Sequence, residues 1–117
     1  MSLHEKYTFL EQNLKRARYR ENAQTITVDL HYLVTVGEMQ NWKCALTGWD
    51  LEFVRGGTYW GGKWCNPMSC TIDRINNEKG YVVGNVQLVT WFANKTKGHL
   101  NDRDFVEMCK LVAKHHA

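Results

Sequence analysis

Thr71-Ile72-Asp73-Arg74-Ile75, then Gly84-Asn85-Val86-Gln87-Leu88-Val89, then Asn94-Lys95-Thr96-Lys97-Gly98 is the part of the chain from which the rest is read. The first run is β-branched and carries an acidic residue, the second is apolar and opened by Asn85, and the third sets an amide among lysines. Short β-branched or apolar runs bounded by Gly and Asn read as strands. The pattern predicts a strand over 71–75, a loop over 76–84, a strand over 86–89 and a helix over 90–97. On that helix Thr90, Asn94 and Lys97 are spaced by four and three and share a face. The carboxylate of Asp73 and the amide oxygen of Asn94 are hard ligands of the kind Mg²⁺ accepts while keeping several waters. Arg74, Lys95 and Lys97 supply the cations that a phosphate-handling site requires.

Outward from this core, Leu3, Tyr7, Leu10, Leu14 and Ala17 draw one apolar stripe on an N-terminal helix. Lys15, Arg16, Arg18 and Arg20 crowd its end, where cations suit the helix dipole as well as a DNA-facing patch. A second helix is expected from Asp29, with Leu30, Leu33, Val34 and Gly37 inward. Ala45–Gly48 and Leu51–Val54 read as short strands around a turn. Residues 55–67 hold four glycines and two tryptophans and read as a long loop. Trp60 and Trp64 suit base stacking or a plug at the core edge. A final helix is expected with Asn101 as N-cap and Asp104 at N3, burying Phe105, Met108, Cys109, Val112 and Ala113. Asn85, at the start of the second strand, is placed to tie the preceding loop through side-chain-to-backbone hydrogen bonds.

A chain of 117 residues supports one modest core and not two, so residues 1–117 are read as one domain. A hydrophobic fraction of 44% with five Trp, five Tyr and four Phe argues against disorder. The net charge of +3 permits nucleic-acid binding without requiring it. No apolar run approaches a membrane span and the N-terminus is polar, so the expected setting is soluble and cytoplasmic, with no membrane partner. Cys44, Cys65, Cys70 and Cys109 include no C-x-x-C pair; they read as reduced thiols, with a zinc-stabilised adaptor built on the first three as the alternative.

The segment 71–97, preceded by Cys44-Ala45-Leu46-Thr47-Gly48, resembles the ββα-metal core of the HNH (His-Asn-His) endonucleases of phage and mobile-element type. The resemblance covers roughly residues 40–100. It implies Asp73 as the acidic metal ligand, Asn85 as the loop-fixing Asn and Asn94 as the helix ligand, nine residues on. Two departures stand out. The positions of the zinc knuckles hold Cys44-x-x-Thr47 and Thr90-x-x-Ala93, so no family-type structural zinc is expected. Arg74 replaces the general-base His, and a guanidinium stays protonated near neutral pH. The base then falls to metal-bound hydroxide, to His99 or to His31.

The expectation is therefore an α+β protein. It has a helical N-terminal part over 1–40, a ββα-metal core over 43–100 and a C-terminal helix over 101–117. Its activity would be Mg²⁺- or Mn²⁺-dependent nicking of DNA. Asp73, Arg74, Asn85 and His99 are the expected catalytic residues, Asp73 and Asn94 the metal ligands, and Arg16, Arg18, Arg20, Lys95 and Lys97 the DNA contacts. A catalytically silent DNA-binding or partner-binding module on the same fold is the alternative. The oligomeric state is left open.

Overall fold

The computed structural model describes residues 2–20, 25–56, 58–60 and 63–117, with the side chains of Arg20 and of residues 58–60 and 63–65 outside the description. The order of elements is α1 (Leu3–Arg20), α2 (Leu30–Met39), β1 (Thr58–Trp60), β2 (Lys63–Cys65), β3 (Cys70–Arg74), β4 (Val86–Thr90), α3 (Trp91–Lys97) and α4 (Asp102–His115). The architecture is α+β. Among the described residues no helix is long and apolar enough to cross a membrane.

The expected strand, loop, strand and helix are present, with β3 and β4 antiparallel and Asp73 opposite Gln87. β4 is buried throughout. The period of two puts Thr71, Asp73, Gln87 and Val89 on one face of this hairpin, and α3 packs there. α2 sits at the other side, where Gln40 brackets Leu88: its Oε1 accepts from the Leu88 N–H at 3.0 Å and its Nε2 donates to the Leu88 carbonyl at 2.8 Å. α1 buries Leu10, Leu14 and Ala17 against α2 and β3, joined by Phe9; Leu3, at the start of the stripe, stays exposed.

The ends of α2 have local causes. Asp29 is the N-cap, its carboxylate accepting from the Tyr32 N–H at 2.8 Å. After Met39 the Asn41 N–H donates to Glu38 and the Trp42 N–H to Gly37, with Asn41 at φ 53°. That is a Schellman closure with Asn in the left-handed position.

Three expectations are corrected. Residues 45–54 form turns joined by isolated bridges, Lys43 to Asp50 and Glu52 to Ser69, rather than strands. The long loop over 55–67 contains the hairpin β1–β2, with Tyr59 opposite Trp64. Its strands are separated in sequence by Gly61-Gly62, a hairpin signal that the loop reading passed over. The roles considered for Trp60, Trp64 and Cys65 fall on side chains outside the description. Last, α4 forms where expected and Asn101 caps it, accepting from the Asp104 N–H at 3.0 Å, but it buries no residue. Cys109 is exposed and is not a core residue.

Candidate active site

Asp73 leaves β3 on the face covered by α3, and α3 presents Asn94 and Lys97, three residues apart, to that same face. Asn94 Nδ2 donates to Thr71 Oγ1 at 3.0 Å. Lys97 Nζ lies 2.7 Å from Asp73 Oδ2, 2.7 Å from Asp102 Oδ1 and 2.7 Å from the Arg74 carbonyl. An ammonium has three donors and no acceptor, so Lys97 is fully satisfied. Its side chain is 1% exposed. Gln87 Nε2 completes the cluster, donating to Asp73 Oδ2 at 2.9 Å and to Asp102 at 3.0 Å. Burying an ammonium alone would cost several kcal/mol, roughly the scale that two close carboxylates offset. Two carboxylates against one ammonium leave this cluster with one net negative charge.

Lys97 is thus not a DNA contact, as its place in a basic helix end suggested: a buried, triply bonded ammonium cannot reach a surface phosphate. Gln87 and Asp102 went unread as parts of the site. A Gln inside the apolar run 86–89 was the available signal, since a polar residue in a buried strand needs a partner. Asp102 carries no such signal, since an acid in the first turn of a helix is favoured by the dipole whatever else it touches.

Beside this cluster lies a polar cleft of about 180 Å³ lined by Ile72, Asp73, Arg74, Asn77, Tyr81, Asn94, Gly98 and His99. Four of the expected site residues, Asp73, Arg74, Asn94 and His99, therefore meet in one place. Gly98 ends α3 at φ 59°, a conformation that a side chain would strain, and the resulting turn brings His99 to the rim. His31 lines a separate hollow with Thr27, Asp29 and Tyr32, which removes it as a base for this cleft.

Arg74 is tethered on one side. Its guanidinium lies over the Tyr81 ring at 5.3 Å and donates to the carbonyls of Asn77 at 3.2 Å and Lys79 at 3.4 Å. The loop over 75–85 is organised from within by Asn85. Its Oδ1 accepts from the Asn76 N–H at 2.9 Å, and its Nδ2 donates to the carbonyls of Asn76 and Gly80 at 3.1 and 2.9 Å. Asn85 is buried and does not line the cleft, so it is a positioning residue rather than a catalytic one. From outside, Tyr81 N–H donates to the Thr25 carbonyl at 2.8 Å. A Cβ on Gly80 would stand 2.3 Å from that same oxygen, so only glycine lets the two segments approach.

Across Thr71 a second cleft of about 190 Å³ is lined by Asn13, Arg16, Arg55, Thr71, Ile72 and Trp91. Asn13 holds it together: its Oδ1 accepts from the Arg55 guanidinium at 2.6 Å and its Nδ2 donates to the Cys70 carbonyl at 3.0 Å. Lys95 lies 5.7 Å from the Trp91 ring. Arg16 thus lines this second cleft and Lys95 sits by its Trp91 wall, with Arg55 and Trp91 as additions that the sequence reading did not single out. Arg18 is exposed on α1 and lines neither cleft; the Arg20 side chain lies outside the description.

The donor set is compatible with a divalent ion. Asp73 Oδ1 and Asn94 Oδ1 accept no hydrogen bond among the described residues, and both residues line the cleft. One carboxylate oxygen and one amide oxygen, completed by waters, suit Mg²⁺. Among the described residues no three His, Cys, Asp or Glu side chains gather as a metal group. Cys44 and Cys70 are both buried. Burial pushes the Cys70 thiol up, and the neighbouring Cys44 adds to the rise. Burial also raises Cys44, but hydrogen bonds from Thr47, Thr90 and Leu46 outweigh it and leave that thiol below its ordinary value.

No protein-family model, no curated protein and no solved structure matches the chain.

Proposed function

We propose that this chain is a metal-dependent DNA endonuclease of the HNH type that cuts one strand per cleft. The observation that carries the reading is the meeting of Asp73, Arg74, Asn94 and His99 in one polar cleft, although they come from β3, α3 and the turn after α3. Asp73 Oδ1 and Asn94 Oδ1 would hold Mg²⁺ or Mn²⁺, and the bound ion supplies charge stabilisation at the scissile phosphate. Arg74 keeps its loop contacts through one nitrogen and offers the rest of its fork to a non-bridging phosphate oxygen. His99 takes a proton from the attacking water, a task imidazole suits near neutral pH. Gln87 and Lys97 orient Asp73 through Oδ2, leaving Oδ1 toward the cleft. Arg16, Arg55 and Lys95 would contact phosphates on either side of the cut, giving affinity without sequence reading.

The test is conversion of supercoiled plasmid to open circles with Mg²⁺ or Mn²⁺, beside EDTA. Nicking is expected only with metal. It should fall roughly 10²–10⁴-fold in His99→Ala, the size of a general-base contribution, and be lost in Asn94→Ala. His99 is exposed, so its removal leaves the fold intact and a loss reports on chemistry. Absence of nicking by folded protein overturns the reading.

One observation favours a second reading. Lys97 neutralises much of the charge on Asp73, which weakens its pull on a cation. On that reading the clefts bind DNA without cutting it. DNA would then be held equally well in EDTA, and Arg16→Ala would weaken binding while metal changes nothing.

A further inference from the structure

Asp102 opens α4, directly behind its cap Asn101, where unpaired N–H groups and the helix dipole favour a carboxylate. Its own N–H donates to the Ile75 carbonyl at 3.0 Å, which pins the start of α4 to the residue that follows β3. The side chain reaches Lys97 Nζ at 2.7 Å, the same distance that separates Lys97 from Asp73. Gln87 Nε2 bridges the two carboxylates, 2.9 Å from Asp73 Oδ2 and 3.0 Å from Asp102 Oδ1. Asp102 does not line the cleft that holds Asp73 and Asn94. It lines a separate hollow with Ile75, Asn76, Asn101 and Arg103. Its influence on the cleft therefore passes through Lys97 and Gln87.

We propose that Asp102 is a positioning residue that sets the affinity of the Asp73–Asn94 cleft for a divalent cation, by dividing the charge of Lys97 between two carboxylates. The inference rests on the reading of that cleft as a metal site. An ammonium bonded to Asp73 alone would make a neutral pair, which attracts a further cation only weakly. With Asp102 present the three charged groups sum to one negative charge, and cation affinity follows the charge that a site carries. Asp73 can then serve both sides at once. Its Oδ2 accepts from Lys97 and Gln87, and its Oδ1 is left for the cleft.

Of the three groups Asp102 keeps its charge at the lowest cost. Its side chain is 26% exposed, against 8% for Asp73 and 1% for Lys97, so it retains part of its hydration besides the helix end. The Lys97 contact that weakens the pull of Asp73 on a cation is thus offset from the first turn of α4.

Binding of Mn²⁺ alone, read from the loss of its free-ion signal in electron paramagnetic resonance, is the first arm of the test. The unaltered chain should bind the ion, and Asn94→Ala should weaken that binding. Asp102→Asn keeps an oxygen for Lys97 and Gln87 and removes only the charge. It should raise the Mn²⁺ dissociation constant roughly 10–100-fold, the usual cost of losing an outer-shell partner. Asp104→Asn takes the same charge from the same turn of α4, but Asp104 is exposed. Solvent and salt screen it, so the constant should move less than about twofold. Lys97→Met added to Asp102→Asn returns the cluster to one negative charge and should recover most of the lost affinity, which no purely structural role of Asp102 would do. In the second arm, nicking over a Mn²⁺ series, Asp102→Asn should raise the half-saturating concentration and keep the saturated rate within about threefold. An Asp102→Asn chain that binds Mn²⁺ as tightly as the unaltered one, or a double variant as weak as the single, overturns the proposal and leaves the metal site standing. An unaltered chain with no Mn²⁺ binding sensitive to Asn94→Ala removes the metal site itself, and the proposal with it.

Discussion

In α1 the apolar stripe ends up under cover, with Leu10 at 0%, Leu14 at 3% and Ala17 at 1% exposure, whereas in α4 the same kind of stripe leaves Met108 and Val112 at 53%. Both helices have the period and the polar opposite face that amphipathic packing demands. Their attachment differs in kind. α1 is held from Phe9 to Ala17 by buried apolar side chains, in contact with α2 and β3, while α4 is fastened at its first turn by Asp102 to Lys97 and Gln87. A helical period states that one face wants to leave water; it does not state which surface will cover it.

The most damaging change should be at the fastening point. Lys97→Met leaves Asp73 and Asp102 facing each other without their cation, and loss of one member of a buried ion cluster costs about 3–5 kcal/mol. Urea unfolding measures it, and a cost below about 1 kcal/mol would mean that the cluster is not closed to water. Leu10→Ala probes the buried stripe and should cost about 2–5 kcal/mol, the range for a large-to-small change in a packed core. Removing the cap of α4 with Asn101→Ala should cost about 1 kcal/mol, read as lost helicity by far-UV circular dichroism in dilute protein. Leu111→Ala should change the stability of dilute protein by less than about 0.5 kcal/mol, the usual scale for an exposed position. If Leu111→Ala cost as much as Leu10→Ala, the contrast between the two helices would be gone.

Much of the local structure was legible because its causes are local. Asp29 caps α2 and Asn101 caps α4 through bonds to N–H groups three residues on. The β3–β4 hairpin follows from two short β-forming runs, and Asn85 ties its loop as its place beside a turn suggested. Lys97 was misread for the opposite reason. In the last turn of a helix a lysine looks like a surface cation favoured by the dipole. Its two carboxylates lie 24 positions before it and 5 after it, so no local pattern pairs them. Arg55 escaped for the same reason, since its partner Asn13 is 42 positions away.

The sequence by itself determined the helices and the β3–β4 hairpin, because capping, periodicity and turn chemistry act over a few residues. Tertiary structure alone decided that Lys97 is an internal counter-ion rather than a surface cation, that Asn13 and Arg55 build a second cleft beside the first, and that the stripe of α4 faces outward. Burial and charge pairing depend on which distant surfaces meet, and chain closure, not local propensity, chooses those.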